Sequence, residues 1–218
     1  MFRDRSDAGR QLAELVASRL VDPPGPLEAA RSLVLGLPRG GVPVAALVAH
    51  ALGVRLDVVV VRKVGVPWQP ELALGAVGEN GAVALNDEVV SAAVLEPDQL
   101  DTLIRKAAQE VADIVADLRP TAGPPQVSGR TVIVVDDGVA TGATARAAAR
   151  VLRRSGSGPV ILATPVAASS TCASLRGDFD EVICLRTPWH FGSVGRHYEH
   201  FEQVGIAQVR RLLKGAPD

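Results

Sequence analysis

The sequence predicts an α/β fold: an open, mainly parallel sheet with helices on both faces, plus a small C-terminal hood. Short continuous apolar runs such as Val132-Ile133-Val134-Val135 have the length and β-branching of strands buried on both faces. These runs alternate with longer segments that read as helix. Three of them lead into small or charged residues, at Arg39-Gly40-Gly41, Arg62-Lys63 and Asp136-Asp137. In open α/β sheets ligands bind beyond the carboxyl ends of the strands, so this coincidence points to a site.

Taken in order, residues 7–20 predict an amphipathic helix with Leu12, Leu15, Val16 and Leu20 on one face. A Pro/Gly break at 22–26 precedes a strand at 32–37 and a helix at 42–52. Residues 56–61 read as a second buried strand. The polar, Pro/Gly-containing stretch from 62 to 80 reads as a loop, followed by short strands at 82–85 and 88–90. A long helix is expected over 97–118, a loop over 120–129 and a strand over 131–135. Alanine-rich residues 145–152 predict a helix. Strands at 159–165 and 181–185, joined by a segment at 169–176, complete the sheet. The reading is of one domain over residues 1–218.

Composition excludes several classes. Hydrophobic residues make up 47% of the 218, enough for a substantial core, yet Gly, Pro or charge interrupts every apolar run before membrane-spanning length. Met1 is followed by Phe2, Arg3, Asp4 and Arg5 with no apolar leader, so a cytoplasmic location is expected. With 23 basic and 24 acidic residues the chain has no broad basic field for nucleic acid, and Arg105, Arg150, Arg153 and Arg154 read as surface helix charges. Cys172 and Cys184 lack CxxC spacing and read as buried free thiols, not as zinc ligands.

The most informative segment is Val132-Ile133-Val134-Val135-Asp136-Asp137-Gly138-Val139-Ala140-Thr141-Gly142-Ala143-Thr144. A strand ends in two carboxylates, and a Gly/Thr-rich turn leads into a helix N-terminus. The glycines let backbone approach a ligand closely. Loop amides and the helix dipole suit a phosphate, and the carboxylates suit sugar hydroxyls. Neither the Gly-Lys-[Ser/Thr] ending of a P-loop nor the glycine spacing of a dinucleotide fingerprint is present. The segment resembles the phosphoribosyl pyrophosphate (PRPP) motif of the type I phosphoribosyltransferases. The resemblance covers roughly residues 33–200 and is similar to a group of predicted phosphoribosyltransferases with unassigned acceptor.

That resemblance implies roles residue by residue. Asp136 and Asp137 would bind the ribose hydroxyls, and Gly138, Val139, Ala140, Thr141, Gly142, Ala143 and Thr144 would bind the 5′-phosphate. Arg39, Gly40 and Gly41 look like the family's pyrophosphate loop, which often carries a cis or strained peptide. A non-proline cis bond at Arg39-Gly40 would leave no trace in sequence. Residues 62–80 stand where the family has a lid that excludes water. There Arg62 or Lys63 could offset charge on departing pyrophosphate. Residues 186–202 stand where the family has its hood. Trp189 and Phe191 could stack a planar acceptor or fill a small satellite core. His190 and His197 lack the i,i+4 spacing of helical metal ligands.

The implied reaction transfers 5-phosphoribosyl from PRPP to an acceptor nitrogen of a nucleobase or related small molecule. Mg2+ would be held mainly by PRPP oxygens and water rather than directly by protein. Hypoxanthine-guanine enzymes carry a carboxylate three residues after the second acid. Ala140 stands there, which argues against a 6-oxopurine acceptor. Glu71 on the lid is the candidate replacement acid or base. A PRPP-binding regulatory protein and a PRPP hydrolase are the alternatives of other classes, since fold does not settle function. A homodimer is expected from the family alone.

Overall fold

Asp4 starts the first helix: its Oδ1 accepts the Asp7 N–H at 2.7 Å, and α1 (Arg5–Leu20) follows. The computed structural model describes residues 1–20, 31–120 and 123–215, without the side chains of Leu20, Pro70, Glu71, Asn80 and Pro97. The break expected at 22–26 lies outside the described residues, as do positions 121–122 of the loop expected at 120–129. The chain continues through β1 (Ser32–Gly36), α2 (Gly41–Leu52) and β2 (Arg55–Val58). It then forms β3 (Val61–Val66), β4 (Gln69–Gly78), β5 (Val83–Leu85), α3 (Asp87–Ala93) and α4 (Pro97–Leu118). The remainder is β6 (Thr131–Val135), α5 (Ala143–Arg154), β7 (Val160–Val166), α6 (Ser169–Leu175), β8 (Glu181–Arg186) and α7 (Ile206–Lys214).

Five strands pair in the order β2-β1-β6-β7-β8, all parallel. Alternate residues bury opposite faces, as the two-residue strand repeat requires. Leu33, Leu35, Val132, Val134 and Leu162 join a core with Ala145, Ala148 and Leu152 of α5. Val34, Ile133, Val135, Ile161 and Ala163 join another with Leu12 and Val16 of α1 and Val44 and Val48 of α2. With both faces covered, the three inner strands β1, β6 and β7 are almost wholly apolar, while the edge strands β2 and β8 carry Arg55, Asp57, Glu181 and Arg186, and the expected fold class stands.

The structure corrects three local expectations. The apolar run at 56–61 is not one strand. β2 ends at Val58 on the edge of the main sheet, and β3 starts a separate antiparallel sheet, β3-β4-β5. The stretch from 62 to 80 is therefore largely a hairpin, not a loop. Its Val61 is buried in the core on the α5 side, and Val64 and Val66, two residues apart, are buried on the opposite face. Val64, Val66, Leu74 and Val77 pack against α3 and α4. Residues 88–90 form part of α3 rather than a strand. Asn86 Oδ1 caps this helix at the Val89 N–H, and Asp87 and Glu88 place negative charge at its N-terminus.

Two further helices stand outside the expected elements, although Ile206, Val209, Leu212 and Leu213 give the second an amphipathic pattern. Residues 169–176, read only as a connection, contain α6. After residue 205, α7 packs Val209 in a core with Val42, Val58 and Val111. Among the described residues, no helix is long and apolar enough to cross a membrane.

Candidate active site

Strand order reverses between β1 and β6, because β1 is followed by β2 on one side while β6 and β7 extend the sheet on the other. A crevice opens at such a switch point, beyond the strand ends. Leu37 extends the pairing by donating its N–H to Val135 O at 2.8 Å. The loop 38–41 leads from β1 into α2, and the loop 136–142 leads from β6 into α5.

The two loops touch. A Cβ on Gly41 would come within 2.5 Å of Val135 O and 2.9 Å of Asp136 Cα, and a Cβ on Gly40 would overlap the Asp137 carboxylate. Gly40 has ordinary helical φ and ψ of −63° and −37°. Glycine is required there for close approach, not for conformation. The cis peptide of this loop joins Pro38 to Arg39, one bond earlier than the family pattern suggested.

The 136–142 loop is clamped from behind. Val139 is buried, donates its N–H to Val166 O at 2.8 Å and accepts from Ala168 N at 3.2 Å. Thr171 Oγ1 donates to Ala140 O at 2.7 Å. Gly142 starts α5 at φ +75°, the left-handed region that favours glycine. Among the described residues, the N–H groups of Gly138, Ala140, Thr141 and Gly142 have no protein partner. Together with the N-terminus of α5 they form an anion cradle, with Thr141 and Thr144 exposed beside it.

The acid pair is asymmetric. Asp137 is buried, and its Oδ2 accepts from Arg5 Nε at 2.7 Å. Asp136 Oδ1 accepts the Asp137 N–H at 2.9 Å. Burial, and then the charge of Asp137, pushes the Asp136 carboxyl well above the usual carboxylate range.

The N-terminal segment and residues 194–202 lock onto this pair through side chains that the sequence did not single out. Tyr198 Oη donates to Asp137 O at 2.5 Å. Burial, reinforced by the charge of Asp137, pushes its phenol upward, which keeps it a donor. The Arg5 guanidinium lies 3.9 Å from the centre of the Phe201 ring and donates to Glu202 O at 2.6 Å. Phe2 bridges to Tyr198 as an added strand-like pair, with ring centroids 5.4 Å apart. Val194 fills the space where a Gly138 side chain would go. The signal for the N-terminal segment was slight: an aromatic at position 2 of a chain with 3% aromatic residues.

Arg62 and Lys63 lie within β3, not at the end of a parallel strand, so they face opposite sides of the hairpin. Arg62 shares a cavity of about 380 Å³ with Arg39 and Thr144, and it pairs with Glu110 at 3.3 Å. Lys63 lines a second cavity of about 330 Å³ with Thr141, Arg146 and Arg150. Glu71 belongs to β4, but its side chain lies outside the described residues. Trp189 is 88% exposed. Phe191 is half-buried, joins a small core with Phe2, Val166 and Tyr198, and stacks on His197 at 5.1 Å. Cys172 and Cys184 are free, and burial pushes the Cys184 thiol up to about 12.

The chain is similar to several known proteins. Residues 9–199 match the family described as "Phosphoribosyl transferase domain". Two Mycobacterium tuberculosis proteins, provisionally named phosphoribosyl transferases MT0597 and Rv0571c, are 45% identical over 216 residues, which is 99% of this chain and 47% of each of theirs. The chain thus spans about half the length of the curated relatives it matches. The crystal structure of TT1426 from Thermus thermophilus superposes with a TM-score of 0.84 at 40% identity, covering 97% of both chains. AQ2163 from Aquifex aeolicus shares the fold, with a TM-score of 0.50 at 11% identity over 84% of this chain and 74% of that one. The chain belongs to the phosphoribosyl transferase family.

Proposed function

We propose that the protein transfers the 5-phosphoribosyl group of PRPP to a nitrogen of a small-molecule acceptor and releases pyrophosphate. The observation that carries this reading is the contact of the Arg39-Gly40-Gly41 loop with the Asp136-Asp137 pair, beside a cradle of unpaired amides. One ligand carrying a 5′-phosphate, ribose hydroxyls and a C1 diphosphate would engage all three at once.

In this reading the amides of Gly138 and Ala140–Gly142, with Thr141 and Thr144, hold the 5′-phosphate. Asp136 and Asp137 orient the ribose. Arg39 and the Gly40-Gly41 backbone bind the pyrophosphate, and Arg62 adds positive charge across the cavity. The C1–O bond to pyrophosphate breaks, and the electron pair leaves with it. The acceptor nitrogen then bonds to C1 and loses its proton. Glu71 is the candidate to receive that proton, and Trp189 is the candidate to stack the acceptor. The hairpin over 62–80 serves as lid and residues 186–202 as hood. Ala140 leaves no carboxylate beside the acceptor, which disfavours 6-oxopurines.

Magnesium suits a site in which the substrate supplies most ligands, because the Asp137 carboxylate is already engaged by Arg5. When bound, it would neutralise charge on the leaving pyrophosphate. PRPP with Mg2+ should raise the melting temperature of the protein, and Asp137→Asn should remove most of that rise. Equal protection of both proteins would contradict the assignment of the acid pair.

A further inference from the structure

A buried charge network lies outside the two loops. Asp57 stands in β2, Glu79 follows β4 and Arg119 follows α4. Their side chains are 6%, 10% and 5% exposed. Arg119 Nε lies 3.3 Å from Asp57 Oδ1, and its Nη2 bonds Glu79 Oε2. Arg119 Nη1 also donates to Gly123 O. Asp57 Oδ1 accepts the Val58 N–H at 2.8 Å, and Glu79 Oε1 accepts the Val60 N–H at 3.3 Å. Arg55, half exposed, stands 3.9 Å from Asp57 Oδ2.

One guanidinium thus answers two buried carboxylates. Such networks give little net stability, because desolvation offsets the attraction, and well-packed apolar residues often do as well. What this network does have is a position. β3 begins and β4 ends at the pair Val61↔Gly78, so Val60 and Glu79 flank the root of the hairpin. Glu79 joins both sides of that root to Arg119, while Asp57 joins Arg119 to the main sheet. Val60, Val61 and Arg62 line the cavity that also holds Arg39 and Thr144. Any shift at the root would therefore move a wall of that cavity and the Arg62 side chain one residue beyond it.

We infer that Arg119 is a positioning residue: through Glu79 and Asp57 it sets the β3–β4 hairpin against the main sheet and holds Arg62 opposite Arg39. The consequence for PRPP rests on the transferase reading above; the consequence for the hairpin does not.

The test uses the full chain with Arg119→Met, Arg119→Lys and Glu79→Gln. Backbone hydrogen exchange is followed by peptide, and PRPP–Mg2+ binding is measured by calorimetry. Arg119→Met should speed exchange in 61–78 by about tenfold or more while leaving 131–135 and 143–154 near wild type, since local openings differ between cooperative units. It should weaken PRPP binding by about fivefold or more, and Arg119→Lys should recover part of both effects, because an ammonium keeps the charge but not the planar fork. Uniform acceleration across the sheet would show a purely structural residue and overturn the inference, as would unchanged exchange in the hairpin. If Arg119→Met does not fold, Glu79→Gln carries the same expectation and the same refutation. If the wild type binds no PRPP, the transferase reading fails, while the exchange result still decides the role of Arg119.

Discussion

Arg5 Nε donates to Asp137 Oδ2 at 2.7 Å, so a residue in the first turn of the first helix holds the second carboxylate of the acid pair, 132 positions along the chain. Both side chains are nearly buried, at 13% and 11% exposure. Removing one partner of a buried pair leaves the other charge uncompensated. Arg5→Gln should therefore destabilise the fold by about 3–5 kcal/mol and abolish most PRPP protection. Urea unfolding with and without PRPP measures both. Protection that survives Arg5→Gln would mean that the pair is structural only.

Gly40→Ala would drive a methyl group into the Asp137 carboxylate. The expected cost is about 1–3 kcal/mol of stability, as for overpacked sites, with a larger proportional loss of PRPP affinity. Gly205→Ala is the control, because nothing lies within 4 Å of its added Cβ. Parallel behaviour of the two variants in PRPP calorimetry would contradict the contact of the two loops as the heart of the site.

Asp136 gives a pH signature. Its carboxyl titrates above the ordinary value of about 4, so across that interval the folded protein holds a proton that the unfolded chain has released. Stability from this group is therefore complete at low pH and lost as pH rises through the raised value. Asp57 and Glu79, also raised by burial, act with the same sign. Asp136→Asn should raise the melting temperature of the ligand-free protein at pH 8, by roughly 2–4 °C for each kcal/mol gained, and flatten its fall with rising pH. PRPP binding should be lost. Calorimetric melts across pH would contradict this if the variant melted lower at pH 8.

Trp189 is exposed on the segment after β8, so Trp189→Ala should change stability by no more than about 0.5 kcal/mol. If it stacks the acceptor, the acceptor KM should rise while PRPP affinity holds. Steady-state kinetics with each substrate varied separates the two.

The legibility of this chain follows the range of the interactions involved. Local patterns were readable: the buried strand at 131–135, the helix at 97–118 and the acid-glycine loop depend on neighbours in sequence. The hairpin leaves a weak local pattern because Pro67, Pro70 and three glycines break it up, and because Val61 finds its partners on α5 while Val64 and Val66 find theirs on α3 and α4, all later in the chain. Arg5, Tyr198 and the Asp57–Glu79–Arg119 network left no local pattern, because each acquires its partner only when distant segments pack. Gly40 and Gly41 read in sequence as part of a ligand loop, whereas the structure gives their reason as the close approach of a loop about one hundred residues away.

Ribosyl transfer at the junction of β1 and β6 is tested by pyrophosphate release from PRPP and Mg2+ with a panel of nucleobases and small amine or amide acceptors. Release should require an acceptor and disappear in the double variant Asp136→Asn, Asp137→Asn. Release without any acceptor would make the protein a PRPP hydrolase, and equal release by the double variant would contradict the site.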